Sequence, residues 1–423
     1  MVSGLVGQLV VLVLGLIIPR IMISSYGSDT NGLISTITQV FTYMALLEAG
    51  IGQAAKNALF KPIAENDRQR INSVLSTAKS YFAKVTRYYA LGVLLLAFVA
   101  PFFLKTNVSR LTVFFLILFE GLSGVVTFYY IQTPIVLLNS DGRSYVNNYI
   151  NLANKILGYV VKIMMAVFGL NIVLIQVVYF FITVAKVVVY RWYLHRNYNW
   201  IDMSVPTNTQ LLQDRNSYIL TEMAWTIFSS TDMIVLSTFI STQLSSVYSV
   251  YNMVFVNIHV LLNSVATSIN YVLGKTYHEG LKKYEIIHDS FTSIYLGIMT
   301  ILMSVSYVLI VPFIQLYTHG VADVNYIYTS LPLMFCLIQL LSWSRNVTGN
   351  LTGVAGYAKT TSYVSLVEAV INLSLSMVFV KKFGIVGVLL ATVVALPLKV
   401  IWCIYISDKK VLNRSYKNTF KIL

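Results

Sequence analysis

Twelve stretches of this 423-residue chain are each apolar for long enough to cross a bilayer as a helix, and that feature decides the fold class. A helix needs about 20 apolar residues to span the hydrocarbon core, where only helices and closed barrels satisfy their own backbone. The stretches lie near 3–23, 32–58, 88–104, 111–138, 149–169, 172–192, 217–238, 247–274, 292–316, 327–353, 362–380 and 385–407. Barrel strands alternate apolar and polar over about ten residues, whereas these runs are apolar on every side for about twice that length. With 57% hydrophobic residues, 11% charged residues and a mean hydropathy of +0.72, the chain is an all-α polytopic membrane protein.

No basic leader with a small-residue cleavage site precedes the first run, so that helix is expected to stay in the mature protein. Cys336 and Cys403 both fall inside spans and read as packing residues, without a disulfide or metal framework. Of the 30 Lys and Arg, eighteen fall in loops 59–87, 139–148, 193–216, 275–291, 354–361 and the tail from 408. The opposite set of loops holds Lys105, Arg110, Lys381 and Lys382. Positive loops stay cytoplasmic, so both termini are expected inside. The net charge of +14 is then a matter of topology and anionic headgroups, and its spread over many loops argues against nucleic acid as a partner.

The spans divide six and six. An N-terminal bundle is expected over 1–192, a cytoplasmic linker over 193–216, a C-terminal bundle over 217–407 and a basic tail over 408–423. An even number of spans in each half predicts two pseudo-symmetric bundles related by a pseudo-two-fold axis along the membrane normal. Sliding one half over the other at an offset of 213 places the second span on the eighth. At 100° per residue, Gln39, Tyr43, Gly50, Gln53 and Asn57 fall within about 40° of one direction on their helix. Asn252, His259, Asn263 and Asn270 fall within about 20° on theirs. For a single Asn, interhelical hydrogen bonding is the plainer explanation; a stripe that runs the depth of a helix points to a water-filled lumen. His259 reads first as a hydrogen-bonded interior histidine, with a proton switch as the alternative.

Eight basic residues (Arg20, Lys56, Lys155, Lys162, Lys186, Arg191, Arg345 and Lys399) lie within spans, against five acids (Glu48, Glu120, Glu222, Asp232 and Glu368). Lys56, Lys186, Arg191 and Lys399 can snorkel from helix ends. Arg20, Lys162, Asp232, Arg345 and Glu368 sit deeper and are costly unless paired or hydrated. Arg20 with Asp232, or Arg345 with Glu368, are candidate ion pairs. On the fifth span Asn151, Lys155, Tyr159 and Lys162 form another polar stripe. A basic lumen suits an anionic substrate, with Glu222, Asp232 and Glu368 as candidate proton or sodium relays. The "LGKT" at 273–276 lacks the leading glycine of a phosphate loop, because that position is Ile269. External loops of ten residues or fewer leave no room for a catalytic domain, so no enzyme, cofactor or metal site is expected.

"IIPRIMISSYGSDTNGL" at 17–33 and "FTYMALLEAGIGQAAKNALFKPIAENDRQRI" at 41–71 resemble the repeat-unit flippases for O-antigen and capsular polysaccharide. Those form the polysaccharide transporter branch of the multidrug/oligosaccharidyl-lipid/polysaccharide exporter superfamily. "FSSTDMIVLSTF" at 228–239 is similar to that branch's seventh-span pattern, with Ser230 where Asn is usual. "LEAGIGQA" at 47–54 is also similar to a stretch of the lipid II flippase branch. The resemblance implies twelve helices in two six-helix bundles forming a V, with a central cavity between the first and seventh spans and their neighbours, across which Arg20 and Asp232 would face each other. The implied substrate is an undecaprenyl-pyrophosphate-linked oligosaccharide, flipped from the inner to the outer leaflet of a bacterial cytoplasmic membrane. A polysaccharide polymerase and a chain-length regulator are the implied protein partners. Arg20, Lys162 and Arg345 would then attract the pyrophosphate, and Gln53, Asn57, His259, Asn263 and Asn270 would bond sugar hydroxyls. The rivals are a drug or cation antiporter of the same fold, a membrane glycosyltransferase or polymerase, and a non-transporting scaffold.

Overall fold

The computed structural model describes residues 2–212 and 215–422, and sets aside some side chains within its helices, chiefly 2–6, 215–222 and 267–271. Helix covers nearly all of it, and no strand occurs among the described residues. The chain divides into two compact units, Met1–Met223 and Ala224–Leu423. Each expected span falls on helical segments, apart from residues 327–330 and Arg345 of the tenth, Leu104 at the end of the third, and Phe168 and Gly169 at the end of the fifth.

The first unit is built from α1 (Val2–Ala64), α2 (Arg68–Phe103), α3 (Arg110–Val126), α4 (Gln132–Ser140), α5 (Ser144–Val167) and α6 (Ile172–Asn197). A π-helical turn, Thr127–Ile131, joins α3 to α4. Straight, the 63 residues of α1 would reach about 95 Å, three hydrocarbon thicknesses. Gly27, at φ 83° and ψ 165°, bends it into two spans, a conformation that glycine alone adopts cheaply. The expected loop at 24–31 is therefore one broken residue in an otherwise continuous helix. Asp29 ties that bend to the α2–α3 loop, accepting from Thr106 Oγ1 at 3.0 Å and the Asn107 amide at 2.6 Å. Short polar caps start three of the other helices: Asp67 on α2, Ser109 on α3 and Asn171 on α6.

Within this unit α1 packs on α2, α4 and α5, α2 on α3, and α3 and α5 on α6. Leu59, Leu75, Phe82, Ile131 and Tyr190 fill the core toward the basic loops, and Leu33, Tyr89, Val93 and Leu116 fill it farther along. Lipid tails are as apolar as leucine, so membrane helices associate through close packing rather than through hydrophobic burial. Gly121 and Gly124 show how: a Cβ on Gly121 would lie 2.3 Å from Val93, and one on Gly124 would lie 2.2 Å from the Tyr89 hydroxyl. The segment after α6 folds back onto α2. Ser76 Oγ donates to the Val205 carbonyl at 2.6 Å, and the Asn208 amide donates to Thr77 Oγ1 at 2.9 Å.

The second unit takes up α7 (Arg215–Phe239), most of which it contains, then α8 (Thr242–Glu279), α9 (Leu281–Tyr317), α10 (Leu331–Ser344), α11 (Asn346–Thr352), α12 (Ala358–Tyr405) and α13 (Lys417–Ile422). Gly384, at φ 59°, bends α12 as Gly27 bends α1. Phe335 is sandwiched between Tyr251 and Phe255, with ring centroids at 6.0 and 5.2 Å. After α12 the tail is pinned by Arg414, whose side chain is 8% exposed and reaches Asp408, Asp289 and Glu285 at 2.7, 2.7 and 3.0 Å. Burial disfavours that charge, but the three carboxylates outweigh it and hold the Arg414 pKa above its usual value.

The helix breaks repeat from one half to the other. Gly27 corresponds to Ser241 (φ −166°, ψ 155°), Asn66 (φ 54°) to Gly280 (φ 150°), and Gly142 (φ 73°) to Gly356 (φ 87°), each pair 214 positions apart. Gly169 (φ 67°) and Gly384 (φ 59°) are 215 apart. Both halves thus follow one plan, in a register one residue longer than the 213 found by sliding the sequences. In that register Gln39 corresponds to Met253 and Asn57 to Tyr271, so the two polar stripes stand separately rather than as repeated pairs.

Gly121→Val should force α2 and α3 apart at a cost of about 1–3 kcal/mol. The expected outcome is a lower thermal midpoint in detergent, while Gly15→Ala, where an added Cβ meets nothing within 4 Å, leaves the midpoint unchanged.

Candidate transport site

Asp232 on α7 is 5% exposed and held inside its own unit. Tyr248 of α8 donates its hydroxyl to Asp232 Oδ2 at 2.9 Å, and Thr392 of α12 also faces the carboxylate. Thr392 Oγ1 accepts from Asn372 Nδ2 at 2.7 Å and donates to the Val388 carbonyl at 3.3 Å. Asn372 and Ser376, fully buried, lie one turn apart on one face of α12. Asp232 Oδ1, Asn372 Oδ1 and Ser376 Oγ are buried without a hydrogen-bond partner among the described residues. Each such atom costs about 1–3 kcal/mol unless something bonds to it. The donor atoms are all oxygens and one carries charge, a set that suits a hard monovalent cation or a proton. No group of three or more His, Cys, Asp or Glu side chains among the described residues is placed to hold a metal ion.

The same face of α12 continues one turn back to Glu368, so Glu368, Asn372 and Ser376 form a ladder at i, i+4, i+8. Glu368 is 2% exposed and accepts from Arg345 Nη1 at 2.6 Å. Arg345 stands where α10 gives way to α11, at φ −90° and ψ 3°, so the tenth span is discontinuous at this residue. Nearby, the His259 ring lies edge-on to Trp343 at 4.2 Å between centroids, and Trp343 Nε1 donates to Gln339 at 3.2 Å.

In the first unit Lys162 Nζ sits 3.8 Å over the Tyr179 ring, near enough to Glu120 to feel its charge. Glu120 in turn accepts from Gln176 Nε2 at 2.5 Å. Spans four, five and six, on α3, α5 and α6, are therefore joined by one polar cluster. Arg20 is half-buried on α1, one residue past Pro19. Gln53 and Asn57 are exposed side chains bonded to each other at 3.1 Å, and Asn263 is exposed on α8. The side chains of Asn270 and Glu222 lie outside the described residues.

Sequence reasoning singled out Asp232, Arg345 and Glu368 but missed Tyr248, Asn372, Ser376 and Thr392. The signal for two of them was present: Glu368-x-x-x-Asn372-x-x-x-Ser376 is a helical polar face inside an apolar span. Tyr248 and Thr392 join only through packing of α8 and α12 around α7, which no local pattern announces.

No protein-family profile matches this chain, and no curated protein matches it in sequence. Solved structures do. An inward-facing multidrug resistance MATE-family transporter of the MOP superfamily superposes with a TM-score of 0.79 at 14% identity, over 95% of this chain and 97% of that one. The lipid II flippase MurJ in its inward closed conformation superposes with a TM-score of 0.75 at 15% identity, over 100% and 90%. A MOP-superfamily transporter from Pyrococcus furiosus, described as having a binding pocket whose reverse polarity suggests a different function, matches with a TM-score of 0.66 at 14% identity, over 98% and 95%. The fold is thus that of polytopic MOP-superfamily transporters. These neighbours are transporters and a flippase rather than enzymes.

Removing one member of a buried ion pair leaves the other charge stranded, at about 3–5 kcal/mol, whereas replacing both with apolar groups of similar volume is often neutral. Glu368→Ala should therefore lower thermal stability sharply. The double variant Arg345→Met/Glu368→Leu should recover most of that loss in the same detergent melt.

Proposed function

We propose that this chain is an ion-coupled flippase that moves an undecaprenyl-pyrophosphate-linked oligosaccharide from the cytoplasmic to the outer leaflet of a bacterial inner membrane, for surface polysaccharide synthesis. The observation that carries the proposal is the excess of base over acid at membrane depth, in a fold shared with a lipid II flippase. Arg20, Lys162 and Arg345 supply cationic groups for pyrophosphate or acidic sugars; guanidinium keeps its charge and binds phosphate through two parallel bonds. The exposed Gln53, Asn57 and Asn263, with His259 and Asn270, supply neutral hydrogen bonds for sugar hydroxyls. Arg345 and Lys162 are already engaged with protein partners, so their part in binding is an exchange of partner rather than a waiting charge. Both termini lie on the cytoplasmic side, where the basic loops are.

Asp232, with Asn372, Ser376 and Thr392, is the proposed seat of the coupling proton or sodium ion. A carboxylate sealed inside a unit can change its charge only as an ion arrives or leaves, which ties ion movement to the packing of α7, α8 and α12. Glu222 and Glu368 remain candidates for the same relay. A polysaccharide polymerase and a chain-length regulator are the proposed protein partners. A drug or cation antiporter is the second possibility, favoured by the MATE-family neighbours.

Arg20→Ala should abolish export of the repeat unit in cells while Arg20→Lys keeps part of it, read as surface polysaccharide at matched expression. Full export by Arg20→Ala would show that the side chain only snorkels. Asp232→Asn should leave the protein folded but remove the dependence of transport on an imposed ion gradient in proteoliposomes. An undiminished gradient dependence in that variant would move coupling away from Asp232.

A further inference from the structure

The first unit carries a groove that the transport proposal does not use. It measures about 630 Å³ and is lined by Thr77, Ser80, Lys84, Arg87, Tyr88 and Thr207 among others. That volume lies within the range of about 300–1,000 Å³ usual for small-ligand clefts. Its position along α2 defines its surroundings. From Tyr88 onward the outward face of α2 is apolar and strongly exposed: Tyr88 60%, Leu91 65%, Leu95 66%, Phe98 63% and Phe102 67%. Those residues recur every three or four positions, as a lipid-facing stripe does. Extended one turn toward the basic loops, the same stripe reaches Lys84 and Arg87, both exposed. Neither forms a salt bridge among the described residues.

Two cations beneath an exposed aromatic, at the foot of an apolar stripe, match one chemistry. We propose that this groove holds the phosphate headgroup of an anionic membrane phospholipid, its acyl chains lying along Leu91, Leu95, Phe98 and Phe102. Lys84 and Arg87 bind the phosphate, and the exposed Ser80 and Thr207 hydroxyls meet the polar part of the headgroup. Thr207 belongs to the segment after α6, which the Ser76 and Thr77 bonds already hold against α2. The lipid therefore bridges α2 and the segment that leads from the sixth span to the seventh. The proposal is independent of which substrate the protein moves.

The test is native mass spectrometry of the full-length protein in detergent, titrated with phosphatidylglycerol, phosphatidylcholine or soluble glycerol phosphate. Phosphatidylglycerol should bind, phosphatidylcholine should bind at least tenfold more weakly, and millimolar glycerol phosphate should not displace the lipid. The double variant Lys84→Ala/Arg87→Ala should weaken phosphatidylglycerol binding on the order of 30-fold. Arg68→Ala/Lys79→Ala, which alters α2 outside the groove, should change it by less than about threefold, and so should the charge-preserving Lys84→Arg/Arg87→Lys. A lipid-free thermal midpoint confirms that each variant is folded. Equal binding of the two lipids, displacement by glycerol phosphate, an unweakened Lys84/Arg87 variant, or an equal loss in either control would overturn the proposal.

Discussion

Hydrocarbon offers no hydrogen bonds, and the rest of this structure follows from that. Every polar atom at membrane depth needs a partner in protein or in trapped water. The backbone meets the demand by becoming helix almost throughout, broken at a few residues such as Gly27, Gly142, Gly169 and Gly384, where positive φ lets the chain turn. Side chains meet it less completely. Arg345 and Glu368 satisfy each other, and Gln176 satisfies Glu120. Asp232, Asn372 and Ser376 keep oxygens in the interior of the second unit that have no partner among the described residues.

Such oxygens are expensive, which gives them meaning. A unit that only had to be stable would fill the space between α7, α8 and α12 with leucine and lose nothing. In the proposed function, a buried carboxylate beside an amide and hydroxyls is where the coupling cation or proton is held and released. The ladder from Glu368 through Asn372 to Ser376 lies along one face of α12, and only its first member is charged. At Glu368 the charge is met by Arg345, and Asn372 bonds Thr392, which faces the Asp232 carboxylate on α7.

Much of the fold was legible because the demand for continuous apolar helix leaves so strong a trace. The expected spans coincide with helical segments but for a few residues at their ends and Arg345 within the tenth, yet the turns between them were harder to read. The polar run Ser24–Asn31 looked like a loop, but it remains helical because helix satisfies the backbone at a membrane surface as well as within it, and Gly27 alone makes the bend. The repeat was legible too, though offset by one residue, since hydropathy tolerates a slip that backbone breaks do not. In the candidate site, Arg345 with Glu368 was one of two pairings open from sequence. Asp232 was singled out by its cost, but its partners come from helices 16 and 160 positions away, Tyr248 and Thr392, and only tertiary packing brings them together.

The central proposal is that a chain with more base than acid at membrane depth moves a lipid-linked anion. The most direct measurement is transport by the purified protein in proteoliposomes, with a fluorescent polyprenyl-pyrophosphate oligosaccharide and a cationic drug compared side by side under the same ion gradient. Gradient-dependent flipping of the lipid-linked sugar, with the drug moving no faster than through empty vesicles, is the expected result. Efficient movement of the drug with no flipping of the lipid-linked sugar would contradict the account.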